Sequence, residues 1–512
     1  MTTHLERLGG FVASLTWQDL PEATRRAARY QVLDMVAAVH AAAAAPEPAA
    51  VLRGARATSS STGNCTIFAT GEKTNALSAS AVNAAYAMAH DFDDIIWMGH
   101  TCHSAVFAAL AIAEQRGATS EDMLTAVVAA NEVSGRIAAS CFLGPLNGQM
   151  TTYLHAIGAA AATASLLKLD AAHTTHALAV SLSQPNFALQ PAFMRPTSKL
   201  LSASTPIQIG IQAAFFASEG VTGDPRLLED ERGFWRHFSF VPLPRMLGDL
   251  GTFWAIQTLT MKSYPGCHFF QTACEALAQI GAARPLTPQS VARIDVATNK
   301  LTVEVNRFGA EYASANIEPV NVNFDLATSL SVLLHAGRLT TAELDEKWLA
   351  EHTPDLRAWR RKITVEHSPE LTIRVIDAAR ALPAGRESLR SLSLTDVVSL
   401  RRRYKEAYAS DLVTLKEAMD WLKAAVDWAR TAKPATTTDS TVPLHFPTSV
   451  TVHFTDGSRE TVRRDTPLGS FSLASAEGVL RTKFLAAATA LPRAREAFDR
   501  GLALEKHPLA EW

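Results

Sequence analysis

Between Ala89 and Thr119 the chain reads AHDFDDIIWMGHTCHSAVFAALAIAEQRGAT. Three carboxylates (Asp91, Asp93, Asp94) and two imidazoles (His100, His103) fall within thirteen residues, just ahead of an alanine-rich helical pattern, in a chain that is only 19% charged. Proton transfer near neutral pH needs groups that gain and lose protons there, and imidazole is the side chain whose ordinary pKa lies in that range. Asp91 and His100 meeting at one helix mouth could share such a task. The alternative is a solvated acidic turn that caps a helix, which is common. Cys102, between the histidines, raises a metal site. Adjacent ligands on one tight loop rarely close a tetrahedral shell, and no second ligand pair of matching spacing occurs elsewhere, so neither metal nor cofactor is expected.

The elements that must position these residues are mostly helices. Apolar residues make up 47% of the 512 and aromatics only 7%, with alanine abundant. Alanine costs least in a helix and is poor in strands. The length exceeds what one compact core organises, so two to three domains are expected. From Leu5 to about Leu259 helical patterns follow one another across short breaks. Pro21-Glu22 opens one in which Ala27, Ala28, Val32 and Val36 recur at helical spacing, and Gly158 to Leu169 is apolar enough to be buried all round. Near Lys262 the pattern changes. Val291–Thr298, Lys362–Glu366 and Ser449–Phe454 alternate like half-buried strands, and Asp456-Gly457 marks a hairpin turn towards Glu460-Thr461-Val462.

Several function classes are excluded or disfavoured. The formal net charge of −2 and pI of about 6.8 give no basic face for nucleic acid. No apolar run approaches the roughly 20 residues that span a bilayer, and the charged N-terminus carries no signal-peptide core, so a cytoplasmic protein without membrane partners is expected. Five scattered cysteines without CxxC spacing predict reduced thiols.

The DFDD turn, the histidine loop and the helix AVFAALAIAE resemble the MmgE/PrpD family, which includes 2-methylcitrate dehydratase, cis-aconitate decarboxylase and iminodisuccinate epimerase. The resemblance continues through HAIGAAAATASLLKLD, SKLLSASTPIQIGIQAAFFASEGVTGDPRLLED, MKSYPGCHFFQTACEAL and FPTSVTVHFTDGS, in the family's order. It implies a mainly α fold: a large all-α helical domain (1–260, completed by helices at about 475–512) and a smaller α+β lid domain (261–474), usually as a homodimer. Against that pattern, about 373–444 looks like a helical insertion in the lid, where Trp421, Leu422, Val426 and Trp428 could form an apolar face.

The resemblance also implies a cofactor-independent lyase acting on a small carboxylic acid. Asp91, one of His100 and His103, Lys199 and Lys262 match its catalytic positions. That set suits removal of a proton next to a carboxylate, since two ammonium groups would neutralise the developing charge while an imidazole moves the proton. Other positions depart. Gln149, Ser202 and Gln271 stand where the family has histidines, Leu326 where it often has an aromatic, and Ile95 where a threonine follows DFDD, while Trp97 and Met98 enlarge the loop. Gln149, Ser202, Gln271 and Trp97 are therefore candidates for binding substrate rather than moving protons. His155 and His268 are candidates to replace the missing histidines, and His103 is expected on His100's side of a shared helix. These departures predict a substrate smaller or more apolar than the usual tricarboxylates. Isomerase, epimerase or cyclase chemistry on the same scaffold, and a catalytically silent binding protein, remain alternatives.

Overall fold

The structure, a computed structural model, describes residues 2–59, 62–97, 99–144, 151–310, 312, 314–380, 383–408 and 444–509. Helices dominate it, with one four-stranded sheet and a two-stranded ribbon of Cys65–Thr66 (β1) and Lys73–Thr74 (β2).

The first core is built around the helix Tyr153–Leu166, in which every residue is buried. It packs against Cys102–Arg116, Ser120–Ser140, Ala171–Leu182 and Leu201–Ser218. Small residues make this possible: a Cβ placed on Gly210 would lie 2.1 Å from the Ala156 carbonyl oxygen, so the two helices touch backbone to backbone there. Local signals set the helix ends. Asn75 caps Ala76–Met88 by accepting from the Ser78 N–H at 2.9 Å, and Thr119 caps Ser120–Ser140 through the Asp122 N–H at 3.1 Å. Gly117 ends Cys102–Arg116 in the left-handed conformation at φ 63°. The helix Ala476–Ala487 comes back from the far end of the chain to lie on Glu22–Ala41, and Leu480, Phe484 and Phe498 join the same core.

Among the described residues one helix is long and apolar enough, by length and composition, to cross a membrane, contrary to the reading of the sequence. In Thr197–Ser218, 61% of the most apolar window is buried inside the protein, so its apolarity serves packing.

The second core lies under a sheet of order β4-β3-β5-β6, formed by Val291–Thr298 (β3), Ile363–His367 (β4), Thr448–Phe454 (β5) and Arg459–Arg464 (β6). β3 pairs with β4 in parallel, and the β3/β5 and β5/β6 pairs are antiparallel. Along β5, Val450, Val452 and Phe454 are buried while Ser449, Thr451 and His453 are only partly covered, the period of two that a one-sided sheet requires. Gly457, at φ 85°, makes the β5–β6 turn. Leu277, Leu330, Leu349 and Trp359, from the helices Gln271–Ala283, Leu326–Ala336 and Glu346–Arg360, fill the core beneath.

Between the two cores three segments run side by side. Ile95 bridges Thr260, Thr260 bridges Ser470, and the Met261 N–H donates to the Gly469 carbonyl at 3.0 Å. This seam sets Lys262 beside the Asp91–Asp94 turn. Of the stretch predicted as an insertion, the helices Pro369–Arg380, Pro383–Ser391 and Leu394–Tyr408 are described. Arg403 donates to the Ser239 and Phe240 carbonyls and the Tyr404 hydroxyl to Glu304, so this segment touches both cores. Trp421, Leu422, Val426 and Trp428 lie outside the described residues.

The helix Ala476–Ala487 is anchored by charge as well as by apolar contact. The Lys483 ammonium, buried, donates to both carboxylate oxygens of Asp34 at 2.8 Å and also to the Phe92 carbonyl in the acidic turn. Burial, though opposed by Lys483, keeps the Asp34 carboxyl above its usual range. Lys483→Met should therefore cost about 3–5 kcal/mol in urea unfolding, because it strands a buried carboxyl. The loss should be larger at pH 8 than at pH 5, where the stranded group is more easily kept neutral. A loss below about 1 kcal/mol would contradict this account.

Candidate active site

The turn that follows Ala76–Met88 holds Asp91 in the left-handed region at φ 48°, a conformation that aspartate tolerates better than most residues. Asp91, Asp93 and Asp94 are all buried, so each needs partners to offset the loss of water. Asp91 Oδ2 accepts from the Lys199 ammonium, and from Asn323 Nδ2 at 2.8 Å. Asp93 Oδ2 lies 2.5 Å from His100 Nδ1, and its Oδ1 accepts from Lys262 Nζ at 3.3 Å. The Lys262 ammonium also donates to the Asp91 carbonyl at 2.6 Å, so one lysine ties both ends of the turn. Asp94 Oδ1 accepts from Gln31 Nε2 at 3.0 Å, and its Oδ2 has no partner among the described residues.

These surroundings separate the three acids. Burial would raise the Asp93 carboxyl, but Lys262, with His100 and His103 behind it, outweighs burial and holds it well below the usual range. Asp94 goes the other way: burial, reinforced by the nearby Asp34, pushes it well above. Lys262 is raised, because Asp93 and Asp91 overcome the desolvation that would lower it. Lys199 sits with its nitrogen 5.3 Å from the ring centres of both Phe193 and Phe324, a distance at which aromatic faces attract a cation.

The histidines also divide. His100 precedes the helix Cys102–Arg116, so the two candidates share no helix; they meet instead at one carboxylate oxygen. His103 Nδ1 stands 4.0 Å from Asp93 Oδ2, and its side chain is fully buried, whereas that of His100 is 13% exposed. Burial pushes His103 down to about 4, and drives His155 and His268 well below the usual imidazole range. The His103 and His155 rings lie perpendicular with centres 5.3 Å apart. His103 Nε2, His155 Nδ1 and both ring nitrogens of His268 are buried without a partner among the described residues.

The structure thus brings Asp91, His100, His103, Lys199 and Lys262 together. The binding candidates fare differently. Gln149 lies outside the described residues. Ser202 is buried in the first turn of Leu201–Ser218. Gln271 works on the loop: its Oε1 accepts from the Ser263 and Tyr264 N–H groups at 2.9 and 3.0 Å, and its Nε2 donates to the Tyr264 carbonyl. Its amide clamps the backbone that follows Lys262. The Trp97 ring packs edge-on against Phe253 at 5.3 Å and the residue's backbone N–H donates to Thr258 Oγ1 at 2.7 Å, both partners in the first body of helices. Reading the sequence missed Asn323 and the supports behind the turn: Gln31, Asn131, which donates to Gln31 Oε1 at 2.6 Å, Asp34 and Lys483. Their one signal was a polar residue inside an apolar pattern, as in RYQVLDMVAAV.

Asp93, Cys102 and His103 also place one oxygen, sulfur and nitrogen within 4.8 Å of one another, close enough to hold a cation. The donor chemistry fits poorly. Burial keeps Cys102 a thiol, its S–H donates to the Asp94 carbonyl, and the Lys262 ammonium already neutralises Asp93.

Two family models match the chain, the MmgE/PrpD N-terminal domain over residues 6–244 and the MmgE/PrpD C-terminal domain over residues 264–408. The chain belongs to the MmgE/PrpD family. Members of that family are generally enzymes, dehydratases and decarboxylases among them, and this MmgE/PrpD protein takes that broad class. The N-terminal match contains Asp91, His100, His103 and Lys199, and Lys262 falls between the two matches. No curated protein matches the chain significantly.

Two outcomes follow from this geometry. An unfolded histidine titrates near 6.5, so between pH 6.5 and 4 only the unfolded state takes up the His103 proton, and acid favours unfolding. Asp94, raised, contributes with the opposite sign, so the comparison must be differential. From pH 7 to pH 5, His103→Leu should lose about 2 kcal/mol less stability in urea than the unsubstituted protein, and equal losses would refute the assignment. Gln271→Ala leaves two backbone N–H groups without their acceptor. It should cost about 1–3 kcal/mol in urea unfolding, a loss that a purely substrate-binding glutamine would not show.

Proposed function

We propose that the protein is a cofactor-independent lyase acting on a small organic acid: it removes a proton from carbon next to a carboxylate while hydroxide leaves the neighbouring carbon as water, or it returns a proton to the carbon from which CO2 departs. The observation that carries this reading is the 2.5 Å contact between His100 Nδ1 and Asp93 Oδ2, in a cage whose other walls are the Lys262 and Lys199 ammonium groups. An imidazole whose Nδ1 is held by a carboxylate presents Nε2 towards a reacting group. Asp93, held ionised by Lys262, orients the ring and stabilises it once it is protonated. Of the two candidate histidines, His100 is the better proton carrier, because its side chain is partly exposed and it makes the short contact to Asp93.

The lysines supply the electrostatic half. An ammonium group has three donors, and those not engaged by Asp91 or Asp93 can meet a substrate carboxylate as negative charge builds on it. Buried and uncharged, His103, His155 and His268 add polar atoms but no positive charge, which supports a substrate with fewer anionic groups than a tricarboxylate.

The test is incubation in deuterium oxide with di- and tricarboxylates and smaller hydroxy or unsaturated acids, followed by NMR and mass. The expected result is conversion of a small acid to a lighter product. In His100→Ala and in Asp93→Asn the rate should fall by about 10²–10⁴. Deuterium entering recovered substrate with no net loss of material would identify an epimerase instead. Unchanged rates in His100→Ala would remove the histidine from the mechanism.

A further inference from the structure

Asn323 stands where the two cores meet at the acidic turn. It lies on the short helix Pro319–Phe324 and is 5% exposed. Its position is fixed by backbone. Its carbonyl accepts from the Cys267 N–H at 3.2 Å, and the preceding Gly266 N–H reaches the His90 and Asp91 carbonyls at 3.2 Å. The side-chain amide then has one choice of orientation. Asp91 Oδ2 already accepts from the Lys199 ammonium, so the end that meets it at 2.8 Å is the donor Nδ2, and the carbonyl end faces away from Asp91.

That carbonyl, Asn323 Oδ1, is buried and has no donor among the described residues. A buried amide oxygen without a donor is disfavoured, and native structures rarely leave one so. Its chain neighbour Phe324 offers a ring face to Lys199, and Gly266 beside it carries no side chain: a Cβ there would come within 3.5 Å of Oδ1. The missing partner is therefore a donor, in a place where the Lys199 ammonium, bound to the same Asp91 oxygen, already attracts an anion.

We propose that Asn323 is a substrate-contacting specificity residue, whose Oδ1 accepts a hydrogen bond from an O–H or N–H that the ligand carries close to the carboxylate held by Lys199. This rests on the carboxylate-lyase reading and narrows it to hydroxy or amino acids over acids without such a donor. The same amide orients Asp91, so the residue links recognition of the ligand's donor to the placement of a site carboxylate.

The test separates binding from turnover by using His100→Ala protein and calorimetry with three matched pairs that differ by one hydroxyl: malate and succinate, citrate and tricarballylate, 2-hydroxybutyrate and butyrate. Aspartate, beside malate, distinguishes an amine from a hydroxyl donor. In at least one pair the hydroxy acid should bind about tenfold or more tightly than its partner. In Asn323→Ala and Asn323→Ser that preference should shrink to less than about threefold, with affinity for the deoxy acid changed little. If neither a hydroxyl nor an amine improves binding while Asn323 is intact, the proposal fails whatever the variants do. It also fails if both members of a pair weaken equally in a folded variant, since Asn323 would then act only through Asp91. A hydroxyl preference without turnover of any acid by the unsubstituted protein would defeat the lyase reading and leave this assignment standing. Absence of binding by every acid would overturn both.

Discussion

Three buried carboxylates within four residues are the constraint on which the rest of this structure depends. Side by side and out of water, Asp91, Asp93 and Asp94 could not all be ionised without compensation. The chain meets this by bringing three lysines to one turn from distant elements: Lys199 to Asp91, Lys262 to Asp93 and to the Asp91 carbonyl, and Lys483 to the Phe92 carbonyl and to Asp34 behind it. Asp94, which has no lysine on its carboxyl, is the acid that burial pushes upward. One sequence motif thus yields two carboxylates held by ammonium groups and one acid pushed upward by burial, and their different partners decide which is which.

The architecture follows from that need. Lys199 comes from the segment leading into Leu201–Ser218, Lys262 from the seam between the cores, and Lys483 from a helix near the end of the chain. Each can reach the turn only if the helices beneath it pack closely, which is what the alanine and glycine surfaces of Tyr153–Leu166 and Leu201–Ser218 allow. The second core contributes fewer groups to the site, but Asn323 and the Gln271-clamped loop are among them. The site is therefore complete only where both cores contribute.

Polarity inside the site is uneven, and that unevenness bears on chemistry. Asp93 and its two basic neighbours form a tightly bonded group around His100, while His103, His155, His268 and Asn323 each leave a polar atom with no partner among the described residues. Bonded groups are suited to holding geometry through a proton transfer. Unpartnered atoms are suited to receiving a polar ligand, since the ligand then supplies hydrogen bonds that the protein lacks.

Much of the fold was readable because it is local. The alternation of Val291–Thr298 and Ser449–Phe454, the Asp456-Gly457 turn and the apolar helix after His155 are written in periods of two and 3.6, and the structure shows strands, turn and buried helix there. The density of acids and imidazoles around Asp91 was likewise visible in thirteen residues. What each of those groups does was not. Asn323 and Lys483 stand 232 and 391 residues from their partners in the turn, and neither is marked by spacing or composition. Gln271 was readable as a departure from a family pattern, but only the folded loop shows its amide spent on backbone. By itself the sequence determined the helices, the strands and the chemistry within reach of one turn, because backbone sterics and side-chain periodicity act over a few residues. The tertiary structure decided which acid is pushed below its usual range, which above it and which histidine is walled off, because burial and charge pairing depend on groups that only packing brings together.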